Sequence, residues 1–324
     1  MQPTSLLTKH TPPSSPKDAV LRTINAISVD VEDYFQTEAM TRVIPRNTWE
    51  STPSRIERNM KQIFELFSAH CVRGTFFFLG WVAERYPHLV RETRDLGHEI
   101  ACHSYWHRPI YTLSPAEFRE DTHRAKAVIE DAAGAGISGY RAPSFSLTPG
   151  TEWAADILAQ AGFAYDSSVH PIAHDLYENR HAPRHPYRLA RNLLLEIPIS
   201  TVRWGKRNYP FSGGGYFRVL PYRYVRWAMR RVNQLEGPAV FYLHPWEIDP
   251  EQPRLTTSGR SAFRQYTRLD KTAGLLSRLL TEFSFGPLEE VFAEAAAVQP
   301  QAETPSGVAK KAEELEQAKQ AYSL

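Results

Sequence analysis

Cysteine is nearly absent: the 324 residues hold only Cys71 and Cys102. Two thiols build no disulfide framework, and without a C-x-x-C pair a cysteine-based zinc site has no basis; a reducing compartment suits them better. Long apolar runs are missing too. The first 22 residues lack the roughly 7–15-residue apolar stretch of a secretory leader, and no later segment approaches the ~20 apolar residues of a membrane span. The expectation is a cytoplasmic protein with no membrane span. Nor is there an excess of one charge: 38 Lys and Arg against 36 Asp and Glu leave +2. That balance supports neither a nucleic-acid-coating surface nor a polybasic membrane anchor. No internal repeat at a period of about 20–50 residues is visible.

What is present is alternation. Short apolar runs at 24–29, 74–79, 99–103, 138–142, 163–166, 194–199 and 239–244 read as strands. Helical patterns lie between them at 54–69, 82–96, 114–133, 150–161, 221–235 and 271–282. Ile56, Met60, Ile63, Phe64 and Phe67 form one helical stripe. Gly97 is placed to end a helix, and Ser114-Pro-Ala-Glu117 is a capping box with proline at the first helical position. Repeated βα units predict a parallel sheet with helices outside, open or closed into a barrel. In a barrel the chemistry belongs at the C-terminal ends of the strands. Residues 1–22, rich in Pro, Ser and Thr, read as a disordered tail, and 296–324 as a polar tail with a short helix from Ser306.

Polar clusters follow several of the apolar runs. Asp30, Glu32 and Asp33 come directly after the first strand. Three carboxylates in four residues repel one another unless a cation or arginine compensates, although a solvated loop would also carry them. Strand alternation puts Asp30 and Glu32 on one face, with Asp33 on the following turn. His103 and His107 follow the strand EIAC. Four apart on a helical turn, they can converge on one metal ion, and imidazole with a third carboxylate suits zinc with a position left for water. Arg141 ends another strand and is able to hold a carboxylate by a bidentate hydrogen bond. Asp166 follows FAY, and alone reads as a turn or cap. His244 ends the strand VFYL as either a structural donor or a proton carrier. The run Gly213–Gly215 lacks a P-loop lysine, so it reads as a flexible or close-packed loop near the site. Cys102 reads as a small buried residue pointing away from the histidines. Arg218 is within possible reach of the site.

In this order, the acidic cluster, HSYWH, RAP, Asp166 and LHP resemble the polysaccharide deacetylases, carbohydrate esterase family 4, also called the NodB homology domain. The phrases SVDVEDYFQ, TFFFLGWVAERYPHLV, GHEIACHSYWH, GYRAPSFS, YDSS and FYLHPWEIDP are closer to one branch, encoded in exopolysaccharide loci of bacteria with the PEP-CTERM/exosortase system. There a domain of unknown function follows the catalytic region, here resembled by about 196–291 with PISTVR and SGGGYFR. The resemblance covers roughly residues 22–291 and implies a distorted (β/α) barrel, with one catalytic domain over 23–295. It implies metal-dependent removal of N-acetyl groups from N-acetylhexosamine units of a polysaccharide, with release of acetate. Asp30 resembles the general base, His103 and His107 two ligands of a divalent metal such as zinc, and Arg141 the residue that orients the base. His244 resembles the general acid, with Asp166 tuning it.

One departure from the family form bears on the third ligand. The commonest form has two adjacent aspartates, base then ligand, whereas here Val31 separates Asp30 from Glu32. Glu32 and Asp33 both stay open as that ligand. The runner-up readings are an allantoinase-like or other small-amide hydrolase, and a non-catalytic carbohydrate-binding relative. The aromatics Tyr34, Trp106 and Trp246 lean toward sugar stacking.

Overall fold

A computed structural model describes residues 23–174, 178–190, 193–257 and 259–297. Its centre is one curled sheet built from β1 (Ile24–Val31), β2 (Thr75–Phe78), β3 (Glu99–Cys102), β4 (Gly139–Tyr140), β5 (Tyr165–Asp166), β6 (Tyr187–Leu189) and β7 (Leu194–Glu196). A two-stranded hairpin, β8 (Thr201–Trp204) with β9 (Arg207–Pro210), lies off that sheet, and β10 (Val240–Leu243) and β11 (Ser284–Gly286) return to it. The order is β10-β1-β2-β3-β4-β5-β7-β6, with β11 on the first residues of β1. All of these pairs are parallel except β6 with β7.

The apolar runs explain this arrangement. Every residue of TFFF in β2 and VFYL in β10 is buried, as expected for strands covered on both faces. The helix Ile56–Ala69 buries the predicted stripe of Ile56, Met60, Ile63, Phe64 and Phe67. Each such side chain contributes about 1.5–3 kcal/mol of burial. Between β7 and β10 the circle is completed by irregular backbone: Ser200 N–H donates to Val240 O at 3.3 Å, and Gly213 bridges to Tyr242. The result is the distorted (β/α) barrel that the sequence suggested, with its strand C-termini gathered at one end.

The predicted helix at 82–96 is two helices, Gly80–Arg85 and Pro87–Asp95. Pro87 forces Tyr86 out of helical geometry, to φ −127° and ψ 58°, and starts the second helix itself. The helix Pro115–Ala133 opens on the Ser114–Glu117 capping box and ends at Gly134. The glycine run is close-packed and partly helical: Gly213 precedes the helix Gly214–Val219. The expected tails lie outside the described residues, except that 296 and 297 end the helix Ala293–Ala297.

Gly213 has φ 106° and ψ −177°, a region open essentially to glycine alone, and a Cβ there would stand 1.9 Å from Tyr242 O. Gly205, at φ 61°, has open space around it. Gly213→Ala is therefore expected to cost more than ~3 kcal/mol in urea unfolding, and Gly205→Ala only about 1 kcal/mol. Equal costs would contradict the close approach of Gly213 to β10.

Candidate active site

The end of β1 carries the first functional groups. Asp30 and Glu32 both face a cavity of about 510 Å³ at the strand C-termini. Glu32 meets His103 and His107 there, with ligand-capable atoms of all three within 4.8 Å of one another. The histidines do not share a helical turn. They lie on the irregular loop after β3, where Ser104 (φ 62°) and His107 (φ 50°) take left-handed backbone. Ser104 Oγ accepts from His107 N–H at 3.1 Å, and this tight turn brings the two imidazole centroids to 5.3 Å.

The donor set fits a divalent cation. His103 Nδ1 lies 2.8 Å from Arg141 O, and a carbonyl only accepts, so Nδ1 carries the proton and Nε2 keeps its lone pair for the cavity. His107 Nε2 is 2.8 Å from Glu32 Oε2, yet no aligned donor satisfies that buried oxygen among the described residues. Burial alone would raise the Glu32 carboxyl, but His107, with His244 and His103, brings it down to about 2. Burial pushes His103 down to about 4, keeping its imidazole neutral. An anionic carboxylate and a neutral imidazole are the protonation states that metal ligation needs.

Asp33 stays outside this cluster. Its carboxylate accepts from Tyr34 N–H at 2.9 Å, Ser54 Oγ at 2.6 Å and Arg55 N–H at 2.8 Å, so it ties the turn after β1 to the start of the helix Ile56–Ala69. Burial raises it to about 6.

On one flank, Arg141 is fully buried and donates to Asp30 Oδ1 and Ser28 Oγ, each at 2.7 Å. It also donates to Ser167 O at 3.0 Å and Ser167 Oγ at 2.9 Å. On the other flank, His244 Nε2 stands 3.9 Å from Asp30 Oδ2 and 3.6 Å from Glu32 Oε1. The expected partner of His244 was Asp166, and the structure does not bring them together. Asp166 accepts from Ser168 Oγ and pairs with the buried Glu196 on the next strand. Glu247 takes the place beside His244. Its Oε2 lies 3.1 Å from His244 Nδ1 and accepts from His244 N–H at 3.0 Å, while Oε1 accepts from the buried Arg218 at 2.8 Å. Burial would lower His244, but Glu247, with Glu32 and Asp30, raises it to about 9. The sequence signal for Glu247 was its position three residues after His244 and two after Pro245, the spacing of a helix-start cap.

Of the three aromatics singled out, Trp246 lines the cavity and donates to Glu32 Oε1 at 3.2 Å. Tyr34 is buried against Phe35, and Trp106 packs on Trp49 and Tyr105. Cys102 is fully buried, as expected.

Residues 47–165 match the family model described as polysaccharide deacetylase. That stretch of the chain is similar to the polysaccharide deacetylases. Residues 167–293 match a second model, a domain of unknown function (DUF3473). The site draws on both matches: His103, His107 and Arg141 lie in the first, Arg218, His244 and Glu247 in the second, and Asp30 and Glu32 precede both. A chitooligosaccharide deacetylase of Bradyrhizobium sp. (strain ANU 289) is 28% identical over 33% of this chain and 47% of its own length. A peptidoglycan-N-acetylglucosamine deacetylase of Bacillus cereus is 30% identical over 27% of this chain and 30% of its own. The alignments thus span about half or less of these curated relatives. Among solved structures, a polysaccharide deacetylase candidate from Mycobacterium smegmatis superposes with a TM-score of 0.56 at 21% identity, covering 87% of this chain and 95% of that one. An allantoinase, PuuE, also gives a TM-score of 0.56, at 16% identity over 93% of this chain and 100% of that one. Both show the same fold.

The two acidic candidates for the third ligand separate cleanly in this geometry. Glu32→Gln is expected to lose stoichiometric metal, measured by elemental analysis of the purified protein. Asp33→Asn should keep the metal but lower stability by about 1–3 kcal/mol, because an amide oxygen and its NH₂ group cannot accept all three hydrogen bonds that the carboxylate accepts. The reverse pattern would move the ligand to Asp33.

Proposed function

We propose that this chain hydrolyses N-acetyl groups from N-acetylhexosamine units of a bacterial exopolysaccharide, releasing acetate, with zinc held by Glu32, His103 and His107. The observation that carries the reading is that Asp30 with Arg141 and His244 with Glu247 flank one His₂-carboxylate donor set in a single cavity. The named relatives act on chitooligosaccharide and on peptidoglycan N-acetylglucosamine, which supports an acetylated amino sugar as substrate. Because the site spans both matched stretches, we take residues 23–295 as one catalytic unit.

The bound cation would polarise the acetamide carbonyl and acidify the attacking water. The rest falls to the protein. Arg141 engages Asp30 Oδ1, which fixes the carboxylate and turns Oδ2 toward the cavity side occupied by His244. Asp30 takes the proton of the attacking water as general base. His244 Nε2 gives a proton to the departing amine, a poor leaving group unless protonated. Glu247 keeps His244 charged, and Arg218 holds Glu247 in place and ionised, overcoming its burial.

Asp30→Asn is expected to keep metal and lose ~10²–10⁴-fold in acetate release from N-acetylglucosamine oligomers. His244→Ala should lose a similar factor on acetamides but much less on an acetate ester with a good leaving group, which departs without a proton. Equal losses on both would remove His244 as the acid. Ammonia or urea release from allantoin, with no acetate from the oligomers, would favour the ureide reading over the sugar one.

A pH profile tests the acid separately. A general acid works while protonated, so its pKa sets the alkaline limb of kcat/KM. Glu247 raises that pKa. In Glu247→Gln the limb should therefore move down by about 1–2 pH units, with the acid limb unmoved. An unshifted alkaline limb would show that Glu247 does not act on His244.

A further inference from the structure

The near-neutral total of the chain conceals a local asymmetry. Residues 201–235 carry eight Lys and Arg and no Asp or Glu, so within a net +2 the remainder of the chain is −6. Two of the eight are already engaged: Arg218 holds Glu247, and Arg226 pairs with Glu282. The other six, Arg203, Lys206, Arg207, Arg223, Arg230 and Arg231, are exposed and make no ion pair among the described residues.

The fold carries these cations on two adjoining elements, the helix Tyr222–Leu235 and the β8–β9 hairpin, with Arg203 on the hairpin face opposite to that of Trp204 and Arg207. The helix Tyr222–Leu235 buries Val225, Ala228, Met229 and Val232 against the core. Its opposite face presents Arg223, Trp227, Arg230 and Arg231, which recur at helical spacing. The β8–β9 hairpin packs beside this helix and carries the other three cations. In the hairpin register Trp204 opposes Arg207, and Val202 opposes Tyr209. Trp204 reaches Trp227 with ring centroids 6.3 Å apart. Trp204 is 72% exposed, Leu235 59%, Trp227 43% and Tyr209 41%. None of these residues lines the catalytic cavity.

We propose that this face docks the enzyme on an anionic phospholipid bilayer. Six cations without an ion-pair partner complement a surface of phosphate headgroups, and each basic side chain near such a surface adds to binding. A purely electrostatic partner has no use for two neighbouring exposed indoles. Indole rings, apolar in body with one polar N–H, settle at the level between headgroup and acyl chain, and arginine stems lie alongside them. A sugar chain would be served instead by free acceptor carboxylates among the aromatics; residues 201–235 hold none, and the neighbouring Glu236 and Glu282 are paired with Arg184 and Arg226. The attachment is peripheral: no helix among the described residues is long and apolar enough to cross a membrane.

Flotation of the full chain with vesicles tests this. Vesicles of equal parts phosphatidylglycerol and phosphatidylcholine should carry the protein, and vesicles of phosphatidylcholine alone should not. Binding should weaken steeply when salt is raised to about 0.5 M. The combined variant R223Q/R230Q/R231Q should lose about 100-fold in partitioning. The hairpin variant R203Q/K206Q/R207Q should lose a similar factor and serves if the helix variant fails to fold by circular dichroism. Trp204→Ser with Trp227→Ser should lose about tenfold or more, since the rings enter the interface. Equal recovery with both vesicle types, or no recovery with either, would overturn the proposal. So would capture by soluble dextran sulfate as tight as by vesicles and indifferent to the two tryptophans, which would mark a simple polyanion site.

Discussion

The arrangement of the site depends on one buried guanidinium. Arg141 has no solvent exposure, and it lies over the Phe77 ring at 4.1 Å. A charge in that position is tolerated only when each of its nitrogens is hydrogen-bonded. The three nitrogens make four bonds, to Ser28 and Asp30 on β1 and to the backbone and hydroxyl of Ser167, just beyond β5. Its own carbonyl receives His103 Nδ1. One residue therefore ties together the ends of β1 and β5, aims the candidate base and sets the tautomer of a candidate ligand. Lysine could not replace it, because a single ammonium lacks the planar fork that reaches all three groups.

The opposite flank is built on the same principle from another part of the chain. Arg218 comes from the helix Gly214–Val219, with only 2% exposure, and its remaining donors meet the carbonyls of Gln265, Thr267 and Arg264. It anchors Glu247, which in turn holds His244 while Trp246 stacks on the imidazole at 5.2 Å. Both flanks thus use a buried arginine to fix a carboxylate. The outcomes differ because of what each carboxylate faces. Asp30 opens on the cavity and is left with one oxygen for chemistry, whereas Glu247 spends one oxygen on arginine and the other on histidine. Two similar ion pairs thereby support a candidate base on one side and a candidate acid on the other.

Much of this was legible in the sequence, since each candidate follows a strand whose apolar run is unmistakable. Asp30, His103, Arg141 and His244 all sit where such runs end, and the parallel sheet carries those ends to one side. Local patterns misled where the backbone leaves regular geometry. The i, i+4 histidines suggested a helix, but the turn is made by left-handed Ser104 and His107, which no periodicity reveals. The helix over 82–96 read as continuous because its apolar spacing survives the break at Pro87. The hairpin β8–β9 and the helix Gly259–Tyr266 escaped notice because they bury few apolar residues, Val202 alone in the hairpin strands and none in the helix. Which carboxylate would meet His244 was beyond pattern altogether, since Asp166 and Glu247 differ only in where the folded chain puts them.

Asp166 nonetheless has a physical role that its surroundings define. It lies with Glu196 in full burial, where two carboxylates cannot both be charged. Burial raises Asp166 to about 6, and burial together with Asp166 raises Glu196 well above the usual carboxylate range, so the pair keeps a proton between them. The oxygens left over organise the loop beyond β5. Glu196 Oε1 accepts from Val169 N–H at 3.0 Å, and Ser168 Oγ donates to Asp166 while accepting from Ala142 N–H at 2.7 Å. Ser167, held between these anchors, is the residue that receives Arg141. The carboxylate expected beside His244 thus lies on the other flank, bonded to the loop that supports the guanidinium and, through it, Asp30. Asp166 is thus connected to Asp30 through Ser168, Ser167 and Arg141, whereas Glu247 is connected to His244 directly, so the two carboxylates support different flanks of the same cavity.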